Sequence, residues 1–160
     1  MLFVVVPLLI ARMASATCES SLPSNIDAGM LQPQVLGLLQ RSPTFQEQCR
    51  RIAAVRALRV TVRVGTAVDG GAHAQTIISR YDAGAIRAEV TLRFSGDYLL
   101  LLAHEFEHIL EQVEGIDLHE EAASGRAWRT FTGAWETRRA ANAGIRVRRE
   151  VDAPLRPPFD

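Results

Sequence analysis

The chain contains 160 residues, 48% of them hydrophobic, and its 18 basic and 18 acidic residues leave no formal net charge. A chain of this length can form one domain with a substantial core and is too short for two comfortable ones. The neutral balance offers no support for nucleic acid or an anionic membrane as a partner. We therefore predict no nucleic-acid binding, and the sequence leaves the oligomeric state open.

The first residues predict export. Residues 1–11 are an apolar run, and Ala14, Ser15 and Ala16 follow it closely. An apolar run followed by a small-x-small site is typical of a signal peptide, here with cleavage after Ala16. The run is shorter than the roughly 20 residues that a membrane-spanning helix needs, so we expect no stable membrane insertion. We predict a signal peptide over residues 1–16 and a periplasmic or secreted mature protein; the alternative is a buried N-terminal segment.

The two cysteines of the chain, Cys18 and Cys49, agree with export. Neither belongs to a CxxC pair or to a cluster of Cys and His ligands. In an oxidising compartment the simplest outcome is one disulfide between them. Two buried free thiols are the alternative, and Thr17 disfavours lipidation of Cys18.

Helices and strands are predicted in a mixed order. A loosely helical segment covers residues 25–40, and Ser42 with Pro43 predicts the start of a second helix over 43–55. Alternating apolar and polar residues then predict three strands, over residues 58–64, 75–81 and 86–94. Asp97 is the expected N-cap of a helix over 98–114, which ends before Gly115.

Two further helices are predicted over residues 119–131 and 134–143, followed by a flexible tail over 154–160. The resulting fold class is α+β, with a small antiparallel sheet packed against the helix over 98–114 and further helices on both sides of it in sequence. The strand over 86–94 could pair with an extended ligand if it lies at the sheet edge.

Residues 104–108, His-Glu-Phe-Glu-His, are the one motif that points to a definite chemistry. Imidazoles four positions apart on a helix lie on one face, so His104 and His108 can both reach one metal ion. Glu105 can reach a water on that ion. The surrounding apolar residues place this helix in the core, where polar side chains without partners are costly. The alternative is that both His residues simply lie on the polar side of the helix.

A catalytic zinc site takes three protein ligands and leaves one position open. Glu136 is the best candidate for the third ligand, because it follows His108 on a separate predicted segment whose Ala-rich flank would allow close approach. Glu114 and His119 are the alternatives. Glu111, one turn beyond His108, is placed awkwardly for the same ion and is a candidate for orienting a ligand.

Taken together, these features resemble gluzincin-type zinc metallopeptidases: an amphipathic strand, an HExxH helix and a Glu on a later element. More narrowly, the chain resembles a group of small exported bacterial proteins of unknown function. The shared features are Ser-Pro-Thr-Phe (42–45), HExxH followed by an apolar residue, and Glu-Thr-x-x-Ala-x-x-Ala-Gly (136–144). The resemblance implies a zincin-like domain over residues 17–153 that binds Zn²⁺ through His104, His108 and Glu136.

The resemblance further implies a peptide or protein substrate, with Glu105 as general base and acid. The competing hypothesis is a non-catalytic exported binding or scaffold protein that retains the metal site. The presence of Glu105 favours the enzyme, because a purely structural metal site has no need of it. Tyr98, His119 and Arg138 are candidates for stabilising an oxyanion, and no residue stands out among them.

Overall fold

The computed structural model of the chain describes residues 21–66, 72–93 and 98–153. The first helix is preceded by a short strand and a 3-10 turn (Gly29–Leu31), so the helix predicted over 25–40 begins only at Gln32. The elements of the described residues follow in the order β1 (Ile26–Asp27), α1 (Gln32–Arg41), α2 (Pro43–Ala54), β2 (Leu58–Val64), β3 (Ala74–Arg80), β4 (Ile86–Leu92), α3 (Tyr98–Val113), α4 (Leu118–Ala123), β5 (Ala127–Arg129), β6 (Trp135–Thr137) and α5 (Arg138–Asp152).

The architecture is α+β, but its main sheet is mixed rather than antiparallel. The four strands have the order β1-β2-β4-β3, and β5 with β6 forms a separate hairpin. Within this sheet, as the described residues form it, only β3 and β4 pair antiparallel, whereas β2 is parallel to both β1 and β4. The predicted antiparallel sheet is therefore wrong in this respect. Strands joined by short connections commonly pair with their neighbours in sequence, which favours an antiparallel sheet. Here β4 instead lies between β2 and β3 and is parallel to β2.

The main sheet buries one face. In β2, Leu58, Val60 and Val62 are buried, while Arg59 and Arg63 between them are exposed. The period-two alternation in the sequence therefore arises because one face of β2 is buried and the other is not, as predicted for a half-buried strand. Residues from α1, α2 and α3 join the inward strand residues in one hydrophobic core.

Helix α3 lies at the centre of that core. Leu102, Phe106 and Ile109 are fully buried on it, and the ring of Phe106 stacks on that of Phe45 from α2 with centroids 5.3 Å apart. The helix ends at Val113, two residues before Gly115, whose φ of +74° suits glycine. The prediction over 98–114 is confirmed to within one residue.

The segment after α3 differs from the two helices predicted there. Helix α4 ends at Ala123, and the hairpin β5–β6 follows where the first of them was expected to continue. Gly125 and Gly133, both with positive φ, turn the chain before and after β5. The second predicted helix begins only at Arg138 and continues through Gly144 to Asp152. Strands of three residues carry too little periodic signal to be recognised in a sequence.

The start of α2 is joined to the end of α5. The Ser42 hydroxyl caps α2 by accepting a hydrogen bond from the Phe45 amide, 3.0 Å away. It also donates to the Glu150 carboxylate, which accepts further hydrogen bonds from the hydroxyl (2.6 Å) and amide (3.1 Å) of Thr44. The Ser-Pro-Thr-Phe segment thus fastens two helices of the core.

We expect Ser42→Ala to lower the free energy of unfolding by about 1–2 kcal/mol, because it removes a helix cap. It also takes one donor from Glu150. Urea denaturation followed by circular dichroism measures the change. Ser124→Ala is the matched control, since Ser124 is exposed and bonds only within its own turn. Equal stability of Ser42→Ala and the control would contradict the fastening role.

Several predictions fall on residues outside the described part of the chain. They are the signal peptide over 1–16, the tail over 154–160, the Asp97 cap and the Cys18 half of the disulfide. Cys49 is fully buried in α2, and its pairing with Cys18 remains a prediction. Within the described residues, no helix is both long enough and apolar enough to cross a membrane.

Candidate metal centre

His104 and His108 lie on one face of α3, as their spacing predicts. Their ring centroids are 4.8 Å apart and their planes are nearly perpendicular, at 79°. Each imidazole is partly accessible, with 19% of the His104 side chain and 17% of the His108 side chain exposed. Two ring nitrogens therefore reach a shared position at the surface of an otherwise buried helix.

Glu136 supplies a carboxylate at the same position. Its Oε1 atom is 3.2 Å from His104 Nε2 and 3.4 Å from His108 Nε2. One donor atom from each of the three residues lies within 4.8 Å of the others. Donor atoms that bind one ion tetrahedrally at about 2.1 Å are about 3.4 Å apart. This group could therefore hold a metal ion.

The backbone position of Glu136 differs from the prediction. It lies in strand β6, immediately before α5, and not within a helix. The Thr137 amide donates to Glu136 Oε1 over 2.9 Å, which holds the carboxylate close to the start of α5. The third donor is thus presented by a hairpin that returns toward α3.

The charges of this site depend strongly on one another. Burial lowers the pKa of His108, but hydrogen bonds to Glu111 and Glu136 outweigh it and raise that pKa to about 10. Burial acts to raise the pKa of Glu136, and hydrogen bonds from His104 and His108 outweigh it and bring that pKa well below its ordinary value. At neutral pH the metal-free site therefore holds the His108 imidazolium beside the Glu136 carboxylate. Binding of a metal ion would displace the proton of His108.

Glu111 orients His108 and connects it to the hairpin. His108 Nδ1 donates to Glu111 Oε2 over 2.9 Å, and the Thr137 hydroxyl donates to Glu111 Oε1 over 2.6 Å. Thr137 also caps α5 by accepting the Ala140 amide at 3.0 Å. A carboxylate on the outer nitrogen fixes the ring orientation of a metal-binding His. The candidate role of Glu111 therefore has a defined geometry.

We expect Glu111→Gln to weaken metal binding by about 10–100-fold, because the neutral amide orients and polarises His108 less well. Competition with a chromophoric chelator measures the affinity, and the thermal midpoint of the metal-free variant shows whether it is folded. Glu120→Gln is the matched control, since Glu120 is exposed on α4. Identical affinities for the folded variant and the control would contradict an orienting role.

Helix α5 approaches α3 closely beside His104. Ala140 and Ala143 are buried at this contact. A Cβ atom at Gly144 would lie 3.4 Å from the Leu100 carbonyl oxygen and 3.7 Å from His104 Cβ. Small residues at these positions let α5 pack closely against the part of α3 that carries His104. Gly144 therefore lies inside α5 and permits its close packing against α3. The sequence had predicted a helix end at this position.

Glu107, the remaining charged residue of the motif, faces α2 and α5. It is buried and accepts hydrogen bonds from Gln48 Nε2 at 2.6 Å and Arg139 Nε at 2.5 Å. Arg139 also pairs with Glu114 at 2.8 Å. Glu114, an alternative third ligand, is therefore engaged in this ion-pair network away from the His pair.

The remaining candidates also lie apart from the three donor atoms. The ring of His119 packs edge-on against Trp135 with centroids 5.2 Å apart. Arg138 is exposed, and Tyr98 packs against the core at the start of α3. Among the described residues, His119 is not in the group that could hold a metal ion, and none of the three lines the cleft that contains His104, His108 and Glu136.

Glu105 lies in the same cleft as the donor group. It is 7% exposed, and its Oε2 accepts a hydrogen bond from the Thr76 hydroxyl of β3 at 2.5 Å. The cleft has a volume of about 750 Å³ and lies between β3, α3 and the loop of the hairpin β5–β6. The Glu105 carboxylate and the group that could hold a metal ion thus face one accessible space.

The edge of the sheet beside this cleft is β3, not β4. Strand β4 is internal, between β2 and β3, so the strand predicted over 86–94 has no free edge for an extended ligand. Residues of β3 line the cleft directly. Thr76 and Thr137 were not predicted as site residues, because a β-strand threonine and a residue beside a ligand have no spacing signal of their own.

Comparisons with protein-family models, with curated proteins and with solved structures found no match. The function of the chain is therefore inferred from the residues and geometry of its own site.

Proposed function

We propose that this chain is a zinc-dependent metallopeptidase of the gluzincin type. The observation that carries the proposal is the convergence of His104, His108 and Glu136 in one cleft with Glu105. Two nitrogen donors and one carboxylate form a ligand set suited to zinc with an open position. We also propose that the chain is exported and contains the Cys18–Cys49 disulfide, as its N-terminal sequence suggests.

The roles follow from the chemistry of these groups. A zinc ion bound by the three side chains would supply Lewis-acid polarisation of the scissile carbonyl and lower the pKa of a coordinated water. Glu105 takes a proton from the attacking water and transfers it to the leaving amine. Glu111 holds His108 in the orientation needed for binding. In this proposal each of these residues has one chemical role in a zincin-like site.

The shape and lining of the cleft favour an extended, uncharged stretch of peptide. A peptide can add as a strand to the edge of β3 that pairs with no other strand among the described residues, which gives main-chain hydrogen bonds without regard to sequence. The described residues that line the cleft include Ile78, Phe131 and Trp135, and none of them is an arginine. A substrate carboxylate would find no guanidinium anchor among them, and the imidazoles of this lining are His73 and the two proposed ligands His104 and His108. Bonds inside a chain are therefore favoured over a C-terminal one.

The test is hydrolysis of a library of quenched fluorescent peptides by the purified full chain. We expect one zinc per chain, activity that a chelator removes, and recovery when zinc is restored. Failure to bind zinc would overturn the metal centre itself. A protein that binds zinc at these residues and cleaves no peptide or protein would instead support the non-catalytic scaffold.

A further inference from the structure

Thr76 occupies a polar position between two apolar residues on one face of β3. Side chains two apart on a strand face the same side, so Thr76 shares its face with Ala74 and Ile78. These neighbours pack against the hydrophobic core. The Thr76 hydroxyl donates to Glu105 Oε2 over 2.5 Å, which joins the edge strand to α3.

The shape of the Thr76 side chain does not explain why this position carries a hydroxyl. Valine has nearly the same volume, is also β-branched and is at least as suited to a strand. The difference between them is one hydrogen-bond donor, and the donor meets a carboxylate that is almost fully buried, since Glu105 is only 7% exposed. A buried carboxylate requires such a partner.

We propose that Thr76 is a positioning residue for Glu105. The hydrogen bond restricts the side-chain torsions of a long, flexible Glu and so holds one carboxylate oxygen in place. Because Thr76 belongs to the strand that would pair with substrate, it also fixes the position of the general base, Glu105, relative to the bound peptide. This inference rests on the proposed function and adds a residue to its machinery.

Kinetics of Thr76→Val and Thr76→Ser test the role in activity. We expect Thr76→Val to lower kcat by about 10–100-fold, since small misplacement of a catalytic group has effects of this order. We expect KM and zinc content to stay unchanged, and Thr76→Ser, which keeps the hydroxyl, to recover most of kcat. Thr61→Val is the matched control on the outward face of β2, where kcat should remain that of the wild type.

A double-mutant cycle with Glu105→Gln separates positioning from a general structural effect. If Thr76 acts through Glu105, Thr76→Val should cause no further loss of kcat in the Glu105→Gln background. The same cycle on the stability of the metal-free protein, with Glu105→Ala, should be non-additive, whereas the Thr61→Val cycle should be additive. This second readout does not depend on catalysis.

The outcomes distinguish this inference from the proposed function. Additive stability effects, full activity of Thr76→Val, or failure of Thr76→Ser to recover kcat would each overturn the role of Thr76 while leaving the peptidase intact. A zinc-loaded wild type that cleaves nothing would overturn the proposed function and, with it, any catalytic role of Thr76.

Discussion

Glu105→Gln is expected to reduce kcat by about 10²–10⁴-fold, which is the contribution that a general base typically makes. The amide has the shape of the carboxylate but cannot accept the proton of the attacking water. Its carbonyl oxygen can still accept the Thr76 hydroxyl, so the packing around residue 105 is preserved. Zinc content should therefore equal that of the wild type, because Glu105 is not among the three donors.

Measurement of kcat and of bound zinc on the same preparation makes this result decisive. Glu120→Gln, the same chemical change at an exposed position of α4, should leave both quantities unchanged. If Glu105→Gln retained wild-type kcat with full zinc, another group would have to move the proton. If it lost zinc together with activity, Glu105 would contribute to the metal site itself.

The parts of the fold that depend on local patterns could be predicted from the sequence. Helix α3 and strand β2 match their predicted bounds because apolar spacing and the residues at their ends define them locally. Ser42 and Pro43 likewise predict the start of α2, and Ser42 caps it. Each of these features depends on residues that are close together in the sequence.

The arrangement of the sheet could not be predicted in the same way. The place of β4 between β2 and β3 depends on contacts between distant residues, and alternation within a strand carries no information about its neighbours. The short strand β6 escaped recognition for a related reason. Its three residues were assigned to a helix because the apolar residues that follow them belong to α5.

The candidate site was predictable to the extent that its residues follow a motif. His104 and His108 are set by helical geometry, and the structure brings Glu136 to them even though its strand was expected to be a helix. The hydroxyls of Thr76 and Thr137 had no such signal. Their roles arise from the tertiary contacts of β3 with Glu105 and of β6 with Glu111.

Glu136→Ala is expected to lower zinc affinity by more than about 100-fold, because loss of a ligand exceeds the cost of losing a residue that only orients one. It removes the one carboxylate of the three-residue donor group found among the described residues. It also removes the partner of the Thr137 amide, a contact at the start of α5. Glu136→Gln keeps an oxygen near that amide and so separates loss of charge from loss of this backbone contact.

The comparison that decides the third ligand uses the two alternatives as matched variants. His119→Ala and Glu114→Ala should keep zinc affinity within a few-fold of the wild type, because His119 packs on Trp135 and Glu114 pairs with arginines. Equilibrium dialysis against a zinc buffer measures all four variants under one condition. Retention of tight binding by folded Glu136→Ala, with loss in one of the other two, would move the third ligand to that residue. The hairpin β5–β6 would then have no part in the metal centre, and its approach to α3 would reflect packing alone.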